Sequence, residues 1–187
     1  MMFHGRCIAF IFLLSLPSLG CGILYTGEHM LVKKLDTILL TANDLPTMEV
    51  DPTMNHRRRG VVKQPPVADG FEQSWNGTRP EEHIYVRYWL FQTVTDAQKA
   101  ADEWQGYIAA IPYLPEPNPE DVIGDATWRP ENGASIWFVK NNVIVYITAR
   151  RPQVNQLPLT RAVARKIAAK IEAVLPKSEK TSREPPQ

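Results

Sequence analysis

HIYVRYWLFQTVTDAQKAADEW, residues His83 to Trp104, changes its hydrophobic period halfway along. From His83 to Phe91 the period is two. Ile84, Val86, Tyr88 and Leu90 fall on one face, with Tyr85, Arg87, Trp89 and Phe91 on the other, as successive side chains of an extended strand do. The period then lengthens to that of an α-helix. Ala97, Ala100, Ala101, Trp104, Ile108 and Ile111 make one apolar stripe, three or four residues apart. Thr95-Asp96-Ala97-Gln98 has the form of a capping box, in which the threonine hydroxyl accepts from the Gln98 amide and Gln98 reaches back. Pro112 stops the helix, because its ring clashes with the preceding turn and it donates no hydrogen bond.

Downstream, Pro112, Pro115, Pro117 and Pro119 predict a stiff loop running extended over the surface. Ala126 to Arg129 is a short strand candidate. Ala134 to Lys140 and Val143 to Arg150 read as a hairpin turning at Asn141-Asn142, since asparagine tolerates the positive φ of a two-residue turn. Pro158 to Leu175 reads as a second helix. Pro158 suits its first turn, Leu159, Val163, Ile167 and Ile171 recur every four residues with Ala164, Ala168 and Leu175 beside them, and Pro176 ends it.

Upstream, Phe71 to Trp75 is a strand candidate closed by the turn dipeptide Asn76-Gly77,. Residues 51–70 are polar and proline-rich and read as a long surface loop. Ile38 to Leu40 is a short strand or one or two helical turns. The order is strand, strand, helix, loop, strand, strand, strand, helix. Hairpins dominate, so the expected class is α+β: a largely antiparallel sheet with two amphipathic helices packed on one face.

The N-terminus has a different character. Arg6 supplies a positive charge, and Ile8 to Leu19 is apolar over the length of a signal-peptide core. It is too short to cross a bilayer, which takes roughly 20 apolar residues. Ser18-Leu19-Gly20-Cys21 resembles the bacterial lipobox, with its first two positions interchanged relative to the usual leucine and small residue. That resemblance implies a signal peptide at 1–20 and a lipid on Cys21, which becomes the first mature residue. Gly22 follows; in bacteria with two membranes a residue other than aspartate there carries no inner-membrane retention signal. Residues 21–36 form a tether of about 50 Å at most, at ~3.5 Å per residue. Residues 37–175 form one α+β domain, and 176–187 a disordered tail.

Composition narrows the function classes. The chain has 187 residues, 44% hydrophobic and 22% charged, an ordinary globular balance. Without Arg6, 20 Lys and Arg face 20 Asp and Glu, so no net field favours nucleic acid, and no nucleic-acid partner is expected. The only cysteines are Cys7 and Cys21, so no disulfide staples the domain. His29, His56 and His83 are far apart, without the spacing of metal ligands,. No nucleophile elbow, zinc-protease motif or phosphate loop is present, and neither cofactor nor metal is expected. Glu81 and Glu82 are adjacent and point apart on extended chain.

FEQSW, the strand ending WLFQT, the helix TDAQKAADEW, the block GDATW…ASIWFVKNNVIVYIT and the last helix resemble small exported bacterial lipoproteins. These include mycobacterial-type lipoproteins with a Mog1/PsbP-like fold and the extracytoplasmic sensor domains of receptor kinases. The resemblance covers residues 71–175 and lies in hydropathy and turns. It transfers no catalytic residue, and the chain departs from the sensor domains in lacking disulfides.

Two surfaces stand out. Tyr85, Arg87, Trp89 and Phe91, extended by Trp137, Tyr146 and Arg150, form an amphipathic platform for carbohydrate, peptide or an anionic group if their sheet face is open. The alternative is that this face packs under the N-terminal segment 30–62. Arg57, Arg58, Arg59 and Lys63 make a basic loop that can touch anionic lipid or wall polymer, or simply be solvated. Arg161, Arg165, Lys166 and Lys170 form the wet side of the last helix. The expected protein is a non-enzymatic, lipid-anchored envelope protein whose partners are the membrane and an envelope protein or small ligand. The alternative is an assembly factor or accessory subunit of an envelope or secretion complex, and the third an enzyme whose site only the fold assembles.

Overall fold

The structure, a computed structural model, describes residues 31–57, 66–79, 81–107, 113–116, 118–130, 134–150 and 155–176. Among these residues eight strands form one antiparallel sheet: β1 (Glu49–Val50), β2 (His56–Arg57), β3 (Val67–Asn76), β4 (His83–Phe91), β5 (Tyr113–Pro115), β6 (Ala126–Pro130), β7 (Ser135–Lys140) and β8 (Val143–Arg150). The spatial order is β1-β3-β4-β8-β7-β6-β5, with β2 also on β3. From the centre of the sheet at β4 the chain crosses through α1 (Val94–Tyr107) to the far edge, then returns strand by strand to lay β8 beside β4. α2 (Leu157–Val174) follows. The α+β class and the antiparallel sheet are therefore as expected.

The two helices do not share a face. Ile84, Val86, Tyr88 and Leu90 of β4 form one core with Ile136, Phe138, Val143, Val145 and Ile147, and α2 closes it with Val163, Ala164, Ile167 and Ile171. Trp89 and Phe91 point the other way, into a smaller core with Val139 and Ile144, and α1 covers that one with Ala97, Ala100, Ala101 and Trp104. The sheet is thus sandwiched. An amphipathic stripe says that a helix has a buried side, but not which side of a sheet it meets, and here both faces of β4 are apolar enough to receive one.

The N-terminal segment covers the α2 face as well. Val32, Leu35, Ile38 and Leu40 are buried in the larger core, so residues 32–36 are packed chain rather than tether. A 3-10 turn at Leu35–Thr37 stands where a strand or helical turns were expected just beyond it. Two buried amides pin the segment. The Asn142 oxygen accepts from the Val32 amide at 2.9 Å, while its nitrogen donates to the carbonyls of Val32 at 3.0 Å and Phe91 at 2.7 Å. Gln73 exchanges two hydrogen bonds with the Leu40 backbone at 3.0 and 3.1 Å.

Smaller differences have local causes. The 51–70 segment is not all loop: it holds a 3-10 turn at Pro52–Met54, β2 and the start of β3. Pro115 closes the three-residue edge strand β5, a place where proline's missing donor costs nothing. The cap of α1 is Thr93, whose hydroxyl accepts from the Asp96 amide at 3.0 Å and donates to the Asp96 carboxylate at 2.8 Å. The box expected at Thr95 lies one half-turn too late. The β7–β8 turn is as expected, with Asn141 at φ 57°. Gly124 (φ 75°) lies so close to the Val139 carbonyl that no side chain fits,.

Candidate functional site

β4 sets the platform, and its neighbours complete it by register. Glu72 of β3 stands opposite Arg87, Tyr146 of β8 opposite Arg87 on the other side, and Trp137 of β7 opposite Tyr146. Antiparallel partners share a face, so strand pairing alone gathers Tyr85, Arg87, Trp89, Trp137 and Tyr146. Their rings touch in a chain. Trp89 stacks on Trp137 with centroids 5.1 Å apart and planes 11° apart, Trp137 meets Tyr146 at 5.0 Å, and Tyr146 meets Tyr85 edge-on at 6.4 Å.

α1 divides this face. Trp104 packs edge-on against Trp89 at 5.0 Å and Trp137 at 5.9 Å, which buries the Trp89–Phe91 end. At the other end Tyr85, Arg87, Tyr146, Ser135 and Thr148 remain half-buried. The N-terminal segment is not what covers the face: its buried residues Val32, Leu35, Ile38 and Leu40 lie across the sheet in the α2 core.

Arg87 is the hub. Its Nε lies 2.6 Å from the Glu72 carboxylate, which is fully buried, whereas the arginine side chain is 35% exposed. The guanidinium also sits over the rings of Tyr85 at 5.5 Å and Trp89 at 5.4 Å and lies 3.0 Å from the Tyr85 hydroxyl. A buried carboxylate is tolerable only beside such a partner. Burial pushes the Tyr85 phenol up to about 12 against the lowering pull of Arg87, so it stays a neutral donor. Ser135 extends the polar rim, with its hydroxyl 3.3 Å from that of Tyr146 and 3.1 Å from that of Thr148.

Arg150 does not join the platform. It lies four residues beyond Tyr146, roughly 13 Å along an extended strand, opposite His83. There it lines a cleft between α2 and the 44–48 segment. Of the basic loop, Arg58, Arg59 and Lys63 lie outside the described residues, as does Cys21. Arg57 is committed to two carboxylates, Asp36 at 2.5 Å and Asp69, so its charge is offset within the domain.

Several polar groups were not visible as partners in the sequence. Glu116, in the proline-rich stretch, is buried against Arg129 at 3.1 Å and Arg161 at 2.8 Å. Arg161 and Arg165 both hold Asp121 at 3.1 Å. Lys170 holds Asp44 at 2.8 Å. The wet side of α2 therefore laces down the loops on either flank. Asp44 shows the balance of causes: burial raises its pKa, but Lys170 and Thr41 together bring it below the ordinary value. Ser74 and His83 Nε2 are 2.6 Å apart, a pairing used in nucleophilic catalysis, but Ser74 is 1% exposed and its hydroxyl has no approach for a substrate.

No family profile matches the chain, and no curated protein matches it. Among solved structures, the extracellular domain of PknH from Mycobacterium tuberculosis superposes with a TM-score of 0.46 at 16% identity, over 78% of this chain and 99% of that one. Among the described residues no helix is long and apolar enough to cross a membrane.

Proposed function

We propose that this chain is an exported, lipid-anchored binding protein of the cell envelope, without enzymatic activity, whose binding surface is the open Tyr85–Arg87–Tyr146 end of the platform. The observation that carries it is the state of Arg87, held in place by a buried carboxylate, with its guanidinium over the rings of Tyr85 and Trp89 while a third of its side chain faces solvent. Such a surface is preorganised, so it loses little entropy on binding. Glu72 already offsets the guanidinium charge, which disfavours an anionic ligand. Aromatic rings flanked by Ser135, Tyr146 and Thr148 hydroxyls suit a neutral polyhydroxylated ligand such as a glycan, stacked on ring faces and hydrogen-bonded at the rim. Export and anchoring are supported by the leader itself: Arg6, the apolar Ile8 to Leu19 and Cys21,.

A binding role is favoured over a catalytic one by what the acidic groups do. Glu72, Glu116, Asp121 and Asp44 are each engaged with a cation that holds the fold together. The half-buried rings of Tyr85, Trp137 and Tyr146 favour a second reading, an accessory subunit using the same face against a protein, since aromatic side chains are enriched at such interfaces. Co-sedimentation with insoluble cell-envelope polysaccharide separates the two. Tyr146→Ala should abolish retention of the otherwise folded protein; retention equal to that of the unaltered chain overturns the platform as the glycan surface.

A further inference from the structure

On the α2 side of the sheet, away from the platform, lies a cleft of about 460 Å³, within the roughly 300–1,000 Å³ of small-ligand sites. It opens between α2, the 44–48 segment and the β3–β4 turn. Its floor is apolar: Leu45, Ile84 and Val163 come from the larger core, with Met48 and Leu159 packed beside them. Burying an alkyl chain there gains about 0.8 kcal/mol per CH₂ group.

Its rim is charged, and the charges do not all cancel. Asp44 and Glu82 are its carboxylates, Arg150 and Lys166 its cations, and His83 faces it too. Asp44 is held by Lys170 from the same helix at 2.8 Å. The Glu82 carboxylate lies against Gly77 in the turn. Lys166 donates to the Asp44 carbonyl at 2.5 Å rather than to a carboxylate. Arg150 is exposed at the end of β8 and makes no ion pair with a described residue. With Lys170, which is not in the lining but pairs with Asp44, counted beside Arg150 and Lys166, three cations stand against two carboxylates and leave one positive charge at the mouth of an apolar trough.

We propose that this cleft is a second binding site, for a small amphiphile with one anionic head: a carboxylate met by Arg150 and Lys166 on an apolar tail lying over Leu45, Ile84 and Val163. The head replaces water at Arg150, where a planar guanidinium takes a carboxylate through two parallel hydrogen bonds. It also finds the Lys166 ammonium within the same rim. The tail gives affinity without direction, and the charge selects anions over cations. The platform takes no part in this site, which therefore stands or falls apart from the glycan proposal.

The test uses the purified full chain and three probes below their micellar concentrations: decanoate, decyltrimethylammonium and acetate. Calorimetric titration should show saturable, one-site binding of decanoate, with much weaker binding of the other two. Arg150→Gln alters an exposed side chain and leaves the fold intact. It should weaken decanoate roughly tenfold, the equivalent of about 1.4 kcal/mol. Ala162→Trp, at an exposed helix position lining the cleft, should block binding while the thermal midpoint stays within a few degrees of the parent. Equal binding of decanoate and decyltrimethylammonium overturns the proposal. So does decanoate binding that neither substitution changes, or binding to acetate alone as tight as to decanoate.

Discussion

Glu72 and Arg87 illustrate what a strand pattern hides at the scale of single residues. In FEQSW, Glu72 reads as the polar position of a half-exposed strand, yet it is fully buried, and only the β3–β4 register brings Arg87 to it. Arg87→Met leaves that carboxylate without its cation. The expected cost is about 3 kcal/mol, at the low end for breaking a buried pair because the arginine is partly exposed. Glu72→Gln should cost less, and the double variant less than the two singles summed. Urea unfolding checks this, and strict additivity would show that the pair carries no coupling. His83 gives a second expectation. Burial holds its imidazole below the ordinary 6.5, the Arg150 charge acts the same way, and Asp51 opposes both. A base with a depressed folded-state pKa takes up a proton more readily when unfolded. Its contribution is therefore complete above pH 6.5 and declines as the pH falls below it. Midpoints measured at about pH 7.5 and about pH 5.5 should fall in that direction, and His83→Gln should flatten the slope. A slope unchanged by the substitution assigns the effect to other groups.

Among the elements, those with a strong period were legible and those without were not. β4, β7, β8, α1 and α2 announce themselves through alternation or stripes. β1, β2 and β5 have two or three residues each, too few for any period to show, and exist because longer neighbours offer an edge. The candidate site was legible along β4 and at Trp137 and Tyr146, because one strand's alternation fixes which of its residues share a face. Arg150 was misassigned because a strand's face says nothing of distance along it. What the sequence could not reveal was the side on which each helix docks. The two separate cores make that docking testable. Trp104 joins α1 to Trp89, Phe91 and Trp137 and is 7% exposed. Trp104→Ala should cost about 3–5 kcal/mol. Hydrogen exchange should show α1 amides losing protection well before those of α2, whose core contains no α1 residue,. Equal loss in both helices would mean that the two cores unfold as one unit.

For the whole molecule, the point where the N-terminal segment enters the fold sets how far the domain can stand from the lipid anchor proposed at Cys21. Asn142 grips Val32 beside Phe91, at the β7–β8 turn and the C-terminal end of β4. His83, Arg150 and the cleft lie at the opposite end of the same strands. Nine residues of β4 at about 3.3 Å each separate these ends by roughly 30 Å. Only eleven peptide links join Cys21 to Val32, a reach of at most ~38 Å, shorter than the tether expected from the sequence because Val32 and Leu35 are already buried in the core. If Cys21 carries lipid, Val32 and the Asn142 end of the domain are held within ~38 Å of the bilayer. The platform, on the side of the sheet, stays within a few tens of ångströms of the membrane. Cys21→Ala removes the only thiol after residue 20. Membrane fractionation and intact-mass measurement should show the protein released into the soluble fraction, or retained with its leader uncleaved, and in either case lacking the mass of attached acyl chains. A parent chain without that added mass, or a variant that partitions and is processed like the parent, would refute the anchor. The domain would then be free of the membrane, with the two proposed binding surfaces constrained by nothing but their own chemistry.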